Sequence, residues 1–415
     1  MTRIFVIIDG LGDKPCKVLH HKTPLEAAHM PYLDQLTRRG KIGYVHTVAE
    51  DIAPESDIAV TALLGYDPYT YYTGRGPLEA YGAHIPYKNG WIALRTNFST
   101  VNEKMRLVSR RAGRTLPTRD ARALARLINT KVKLAFPFTF HATVAHRGVL
   151  VIQGNFSENI SNVDPAYAKK GSFGVAVKKR SYFVQKCVPL DRSAKSRYTA
   201  AVINDFVQQS YQVLKNSTIN KRREETGAFP ANIVIPRDAG VSLPRFPQKK
   251  GWAAVISMPL EIGLAKLAGM RVLPFTYPKM RGRNVYKHLY KGLRKTIKAS
   301  IKALKKNEYK TYYLHFKEID VAGHDNEPHE KQHMLEVLDK TFFRYLTTLP
   351  DTEIIVTGDH STPCEMRGHS NDPVPLLYIS KGIPDGITKL SEKTMKLGSL
   401  GKMKGKDVLK QLQFR

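Results

Sequence analysis

The chain is 415 residues long, more than one hydrophobic core usually organises, so two domains are expected, with a single large α/β unit as the exception. Its 66 Lys plus Arg against 36 Asp plus Glu leave a net charge of +30, which excludes an acidic disordered chain and calls for an anionic substrate or partner without saying which. A 42% apolar content supports a folded core, and three scattered cysteines (Cys16, Cys187, Cys364) exclude a disulfide scaffold and favour a reducing, cytoplasmic setting.

In chain order, Ile4 to Ile8 is a β-branched and aromatic run closed by Asp9-Gly10-Leu11-Gly12, which predicts a buried strand, not a signal peptide, and places Asp9 at its carboxyl end. Thr23-Pro24-Leu25-Glu26 starts a predicted helical segment through Leu36. Residues 54 to 65 put Ser56 just before an apolar helical stretch, where it is either a helix N-cap or a nucleophile supported by helix amides. From Arg110 to Lys250 the pattern changes to short strand-like runs (Thr143 to Gln153, Ala231 to Ile235), a helix over Ala200 to Leu214 and basic loops, and it reads as a second domain inserted into the first. Domains 1–109 plus 251–415 and 110–250 are therefore expected. After the apolar stretch Trp252 to Met258, residues 286 to 306 carry a helical stripe of Leu289, Leu293, Ile297, Ile301 and Leu304 surrounded by Arg294, Lys295, Lys298, Lys302, Lys305 and Lys306. That helix is either a solvated basic face or a nucleic-acid or acidic-partner face. Thr311 to Phe316, Glu353 to Thr357 and Pro375 to Ile379 are predicted parallel strands that deliver residues to one sheet edge. No run approaches the roughly 20 apolar residues of a membrane span.

The ligand-type residues gather at those strand ends. Asp320 and His324 are four apart, one helical turn, so they share a side; Asp359 and His360 are adjacent and can diverge; His369 follows, and Asp9 joins from the first strand. Carboxylate oxygens with imidazole nitrogens suit Mn²⁺, Zn²⁺ or Mg²⁺ better than copper or an iron–sulfur centre, and a pair of divalent ions is expected.

Beyond these groups, Ile8-Asp9-Gly10-Leu11-Gly12-Asp13, Thr23-Pro24-Leu25-Glu26-Ala27-Ala28, Leu63-Leu64-Gly65-Tyr66-Asp67-Pro68, Tyr72-Thr73-Gly74-Arg75-Gly76-Pro77-Leu78-Glu79-Ala80, Arg110-Arg111-Ala112-Gly113-Arg114, Gly358-Asp359-His360-Ser361-Thr362-Pro363 and His369-Ser370-Asn371-Asp372-Pro373 resemble the archaeal-type 2,3-bisphosphoglycerate-independent phosphoglycerate mutases of the alkaline phosphatase superfamily. The resemblance implies an α/β fold, an alkaline-phosphatase-like parallel-sheet core interrupted by a smaller α+β substrate-binding domain. It implies interconversion of 3-phosphoglycerate and 2-phosphoglycerate through a phosphoserine on Ser56, with two divalent ions, Mn²⁺ first and Mg²⁺ or Zn²⁺ as substitutes, and no 2,3-bisphosphoglycerate. Asp320, His324 and His369 would hold one ion, and Asp9, Ser56, Asp359 and His360 the other. Arg110, Arg111, Arg114, His146, Arg147 and Arg237 would bind the substrate's carboxylate and phosphate, each arginine otherwise being a surface charge; Lys317 would lie near the phosphate and Asn97 would orient substrate or make a structural hydrogen bond.

Two positions and one loop depart from the family pattern: Glu55 where a glycine usually precedes the serine, Asp238 where a glycine commonly follows the arginine, and an altered loop over residues 275 to 284, to which the resemblance does not carry over the family's substrate contacts. The alternatives are a metal-dependent phosphatase, a mutase on another phosphorylated metabolite, or a mutase-like protein recruited for RNA binding. The charge also allows nonspecific nucleic-acid affinity, no membrane association is expected, and the oligomeric state stays open.

Overall fold

In the computed structural model, residues 2–177, 181–279 and 284–414 are described. Along the chain the strands are β1 (Thr2–Ile8), β2 (Lys41–His46), β3 (Ile92–Val101), β4 (Leu107–Ser109), β5 (Phe138–Ala142), β6 (Arg147–Ile152), β7 (Tyr167–Lys170), β8 (Phe173–Ala176), β9 (Ile233–Gly240), β10 (Trp252–Val255), β11 (Arg271–Val272), β12 (Thr311–Phe316), β13 (Thr352–Gly358), β14 (Val374–Ile379) and β15 (Gly401–Lys404).

The apolar runs of β1, β12 and β13 need cover on both faces, and a parallel sheet with helices on either side supplies it. The large sheet has the order β11-β10-β12-β1-β13-β14-β2-β15, with β1 central and parallel to both neighbours. Side chains of β1 alternate between two cores: Ile4, Val6 and Ile8 enter one, Phe5 and Ile7 the other. The Val285–Lys306 helix contributes Leu289, Leu293, Ile297 and Leu304 to the first of these. Each such side chain contributes about 1.5–3 kcal/mol by leaving water.

Two expectations are corrected here. Pro375 to Ile379 is a strand, but it runs antiparallel to both β13 and β2. The connection from β13 holds only the single turn Cys364–Met366, with no helix to carry the chain back for a parallel return. The helical segment from Thr23 to Leu36 is two helices, Pro24–Ala27 and Pro31–Thr37. A capping box between Thr23 and Glu26 starts the first, and Pro31 keeps the residue before it out of the helical region, so the two cannot merge.

The smaller sheet is wholly antiparallel, in the order β4-β3-β6-β5 with β9 on β3. The Thr118–Lys131 and Ala194–Lys215 helices close its core. Its strand β3 lies ahead of position 110, so the sheet starts earlier in the chain than the change of sequence character does.

Candidate active site

Register sets the site. Ile8 of β1 is level with Phe316 of β12 on one side and Gly358 of β13 on the other, so the residues that follow, Asp9, Lys317 and Asp359, leave the sheet side by side. Gly10 makes the turn: its φ is +63°, and a Cβ there would sit 2.9 Å from the Asp320 Cα. The Gly10 amide donates to Asp359 Oδ1 at 3.1 Å. Asp320 and His324 share a face of the short Ile319–Asp325 helix, with Asp320 Oδ2 3.5 Å from His324 Nε2 and Asp320 Oδ1 3.6 Å from His369 Nε2.

The second donor set converges on His360 Nε2, which lies 3.4 Å from Asp9 Oδ1, 3.4 Å from Asp359 Oδ2 and 3.3 Å from Ser56 Oγ. The hydrogen-bond network assigns the tautomers. Nδ1 of His324 donates to the Arg367 carbonyl at 3.2 Å, Nδ1 of His369 to the Pro54 carbonyl at 2.8 Å, and Nδ1 of His360 to Thr362 Oγ1 at 3.0 Å, whose own proton goes to Asp320 Oδ1 at 2.8 Å. In the neutral form each of these imidazoles turns an Nε2 lone pair toward the carboxylates, as a metal ligand must. Burial pulls His360 down to about 4 and His324 to about 3, which keeps both neutral. His369 differs: burial opposes its charging, but Glu55 and Asp320 override that and push it up to about 10.

Oδ1 of Asp9 and Oδ2 of Asp359 are buried with no hydrogen-bond donor, while Oδ2 of Asp9 meets the Lys317 ammonium. Unpaired buried carboxylate oxygens are costly, and one lysine shared with Glu261 leaves Asp9, Asp320 and Asp359 short of positive charge. Asp320, His324 and His369 have ligand atoms within 4.8 Å of one another, as do Asp9, Asp320 and His360, and Asp9, His315 and Asp359. The residues present thus fit a pair of divalent ions.

Ser56 opens the Ser56–Leu63 helix as its first helical residue, and Glu55 takes the cap position, so the N-cap reading of Ser56 does not hold. Its Oγ instead receives the Lys317 ammonium at 3.3 Å. That ammonium also contacts Asp9 Oδ2 and stands 3.0 Å from Glu261 Oε1. Glu261 is buried with neither oxygen hydrogen-bonded, and burial raises its carboxyl to about 7. It therefore acts on the site through the lysine it faces. Glu261→Gln keeps the shape and removes the countercharge; turnover is expected to fall about tenfold with a displaced pH–rate profile at little change in KM. Steady-state kinetics across pH checks this, and an unaltered profile would make the carboxylate merely structural.

The departures at 55 and 238 have physical answers. Glu55 is extended (φ −84°, ψ 158°), so a side chain fits without strain. Its carboxylate is 3.4 Å from Arg75, 3.5 Å from Arg237 and 3.2 Å from His369 Nδ1, and those cations hold its pKa well below the usual carboxylate range although burial opposes them. Asp238 has φ +54°, the left-handed region that favours glycine, and is held there by a hydrogen bond from its amide to Asn162 Oδ1 at 2.9 Å and by an ion pair with Arg237 at 2.5 Å.

The smaller sheet supplies the opposite wall of the cavity. Cross-strand pairing sets Arg147 opposite Asn97 and Arg237 opposite Arg95, and all four line the cavity with Arg110, Arg111, Arg114 and His146. Arg237 is buried, not a surface charge. Several of these guanidinium groups are already matched: Arg110 pairs with Asp164 at 2.9 Å, Arg114 with Asp325 at 3.1 Å, and Arg75 and Arg95 both with Glu79 at 2.6 Å. Among the described residues, Arg111 and Arg147 have no carboxylate partner in an ion pair, which leaves them available to an anionic ligand. The Arg114–Asp325 pair ties this wall to the helix that carries Asp320 and His324.

Sequence reasoning missed Arg75, Glu79, Arg95, Glu261 and His315. The alternation Arg95, Asn97 in a strand was a usable signal, as was His315 two residues ahead of Lys317; nothing local marks Glu261, which arrives from the Pro259–Leu267 helix after β10. The altered loop reaches the cavity through Tyr277, whose hydroxyl donates to Glu318 Oε1 at 2.8 Å; its residues 280–283 lie outside the described residues.

Residues 37–220 match the family described as 2,3-bisphosphoglycerate-independent phosphoglycerate mutase. Proteins of that description from Methanosphaera stadtmanae and Aeropyrum pernix are 37% and 35% identical to this chain, covering 99% and 98% of it and 96% and 97% of their own lengths. Among solved structures, a Pyrococcus horikoshii protein superposes with a TM-score of 0.75 at 28% identity, over 100% of this chain and 96% of that one. The cofactor-independent phosphoglycerate mutase of Thermoplasma acidophilum gives 0.57 at 28% identity, over 100% and 99%.

Proposed function

The chain belongs to the 2,3-bisphosphoglycerate-independent phosphoglycerate mutases, and from that premise we propose that Ser56 carries a phosphoryl group between the 3- and 2-oxygens of glycerate. The observation that supports this best is the convergence of Ser56 Oγ, Lys317 Nζ and His360 Nε2 within 3.3 Å contacts at the foot of an arginine-lined cavity.

Ser56 Oγ attacks phosphorus, the bond from phosphorus to the 3-oxygen breaks, and the serine proton ends on that oxygen. The glycerate turns without leaving, its 2-hydroxyl attacks the phosphoserine, and that proton returns to Ser56. Lys317 neutralises charge on the phosphoryl oxygens in both transfers, and Arg147 and Arg111 hold the carboxylate so that the freed glycerate stays oriented. Two divalent ions, Mn²⁺ first and Mg²⁺ or Zn²⁺ on the same donors, supply Lewis-acid stabilisation of that charge when bound by Asp320, His324 and His369 and by Asp9, Ser56, Asp359 and His360. A mutase differs from a phosphatase in keeping water from the phosphoserine, and the smaller sheet standing over the serine supports retention. That unit includes β3, ahead of residue 110, since among the described residues β3 pairs with β4, β6 and β9 alone. No described helix is long and apolar enough to cross a membrane, and all three cysteines are free and buried, which supports a reducing, cytoplasmic setting.

The test is conversion of 3-phosphoglycerate to 2-phosphoglycerate with Mn²⁺ and no added 2,3-bisphosphoglycerate, following free phosphate in the same reaction. Isomerisation without phosphate release, abolished by chelator, is expected; phosphate release would make the protein a phosphatase, and silence in both would overturn the reading. For Arg147→Ala, KM should rise about 10- to 100-fold and kcat should fall, with the thermal midpoint unchanged or higher because a half-buried charge without a carboxylate partner among the described residues is removed. Unchanged kinetics would take Arg147 out of substrate binding.

A further inference from the structure

The cavity does not account for the positive charge of this chain, since most of its arginines are matched by buried carboxylates. The Val285–Lys306 helix carries a different kind of charge. It has eight Lys and Arg and no Asp or Glu in 22 residues. Lys287, Lys291, Arg294, Lys295, Lys298, Lys302, Lys305 and Lys306 are all exposed. Spacings of three and four align Lys291, Lys295, Lys298, Lys302 and Lys306 along one side, where like charges repel by a few tenths of a kcal/mol per pair. Lys298 and Lys302 have no carboxylate partner among the described residues, and Lys306 reaches only the exposed Glu308. A helix that needed only solubility would interleave glutamates.

Beside this stripe lies a groove between the helix and the segment Leu273 to Thr276 that follows the edge strand β11, with Glu308 the one carboxylate among its described lining residues. Leu273, Phe275, Ala299 and Tyr309 form its apolar part, with Lys295, Lys298, Lys302 and Lys306 along its rim. Phe275 and Tyr309 are half-buried, each leaving part of its ring to the groove. The apolar side of the helix is already committed to the core through Leu289, Leu293, Ile297 and Leu304, so it has no face to sink into a bilayer. A row of lysines about one helical turn apart with aromatic rings alongside matches a chain of phosphates that presents flat bases.

We propose that this face is a docking surface for single-stranded nucleic acid, separate from the phosphotransfer site and independent of the reading given for it. Lysines contact consecutive phosphates, and Phe275 and Tyr309 stack on bases. Binding releases counterions and is sequence-tolerant.

The test is fluorescence anisotropy of a labelled 20-nucleotide oligo(U) with the full chain between 50 and 200 mM salt. With about four phosphates neutralised, the log–log salt slope should be about −3, so affinity falls roughly fiftyfold across that range. Lys298→Glu with Lys302→Glu should weaken binding at least about tenfold and flatten the slope, while phosphoglycerate turnover stays at the wild-type level. The double variant relieves like-charge repulsion and should fold; Lys298→Gln with Lys302→Gln is the milder control, read by the same turnover assay. Phe275→Ala should cost about tenfold in oligo(U) affinity. Salt-insensitive binding, or binding of oligo(U) as tight as wild type by both lysine variants, would overturn the proposal. So would tighter binding through these lysines to phosphatidylglycerol vesicles than to oligo(U), which would make the partner a membrane surface.

Discussion

Ser56→Ala is expected to abolish turnover, by about 10³-fold or more, while leaving the fold and most of the metal affinity in place. The size follows from the site: Ser56 Oγ is the hydroxyl that His360 Nε2 and Lys317 Nζ both meet at 3.3 Å, and the other hydroxyl near them, that of Thr362, is already committed to His360 Nδ1 and Asp320. Without the nucleophile the phosphoryl group has no protein acceptor, and proximity and electrostatics alone do not replace a covalent step. Three of the four residues proposed for that ion remain, so metal should still bind, more weakly. The measurement is a coupled kinetic assay together with mass spectrometry of acid-quenched protein for phosphoserine at position 56. Normal turnover in the variant would falsify the assignment of the nucleophile.

Asp320→Ala carries the second-largest expected effect. Asp320 stands between the two donor sets: its oxygens face His324 and His369, it shares a 4.8 Å cluster with Asp9 and His360, and Thr362 donates to it. Removing it takes away a proposed ligand of one ion and the hydrogen bond that fixes Thr362 and, through it, His360. Turnover should fall about 10²- to 10³-fold, and metal analysis should show one ion lost per chain. Stability gives an independent readout. A ligand that binds only the folded state raises the midpoint of unfolding with its concentration, so added Mn²⁺ should raise the wild-type midpoint more than the variant's. Equal midpoint shifts in the two proteins would show that Asp320 is not a ligand.

These expectations rest unevenly on local sequence. Asp9, Asp320, His324, Asp359, His360 and His369 were legible because each follows a short apolar strand or sits on one helical turn, and a parallel sheet sends such residues to one edge. Arg147 and Asn97 were legible as residue types, but their meeting was not; it depends on antiparallel pairing between β3 and β6, strands separated by a helix and a hairpin. The antiparallel course of β14 was illegible because its apolar run has the same local pattern as the parallel strands beside it. Glu261 and Glu55 show the limit most clearly. Each is a glutamate on or beside a helix start, and only their neighbours, Lys317 for one and Arg75, Arg237 and His369 for the other, make them part of the site.

The α/β class, the family resemblance and the placing of the carboxylates, imidazoles and Ser56 at strand ends and a helix start were readable along the chain, because strand ends, helical turns and short motifs are local properties. Tertiary structure alone decided which guanidinium groups are free. Ion pairing depends on carboxylates far away in the chain, such as Asp164 opposite Arg110 and Asp325 opposite Arg114, and on the buried surroundings that make an unmatched charge costly enough to matter.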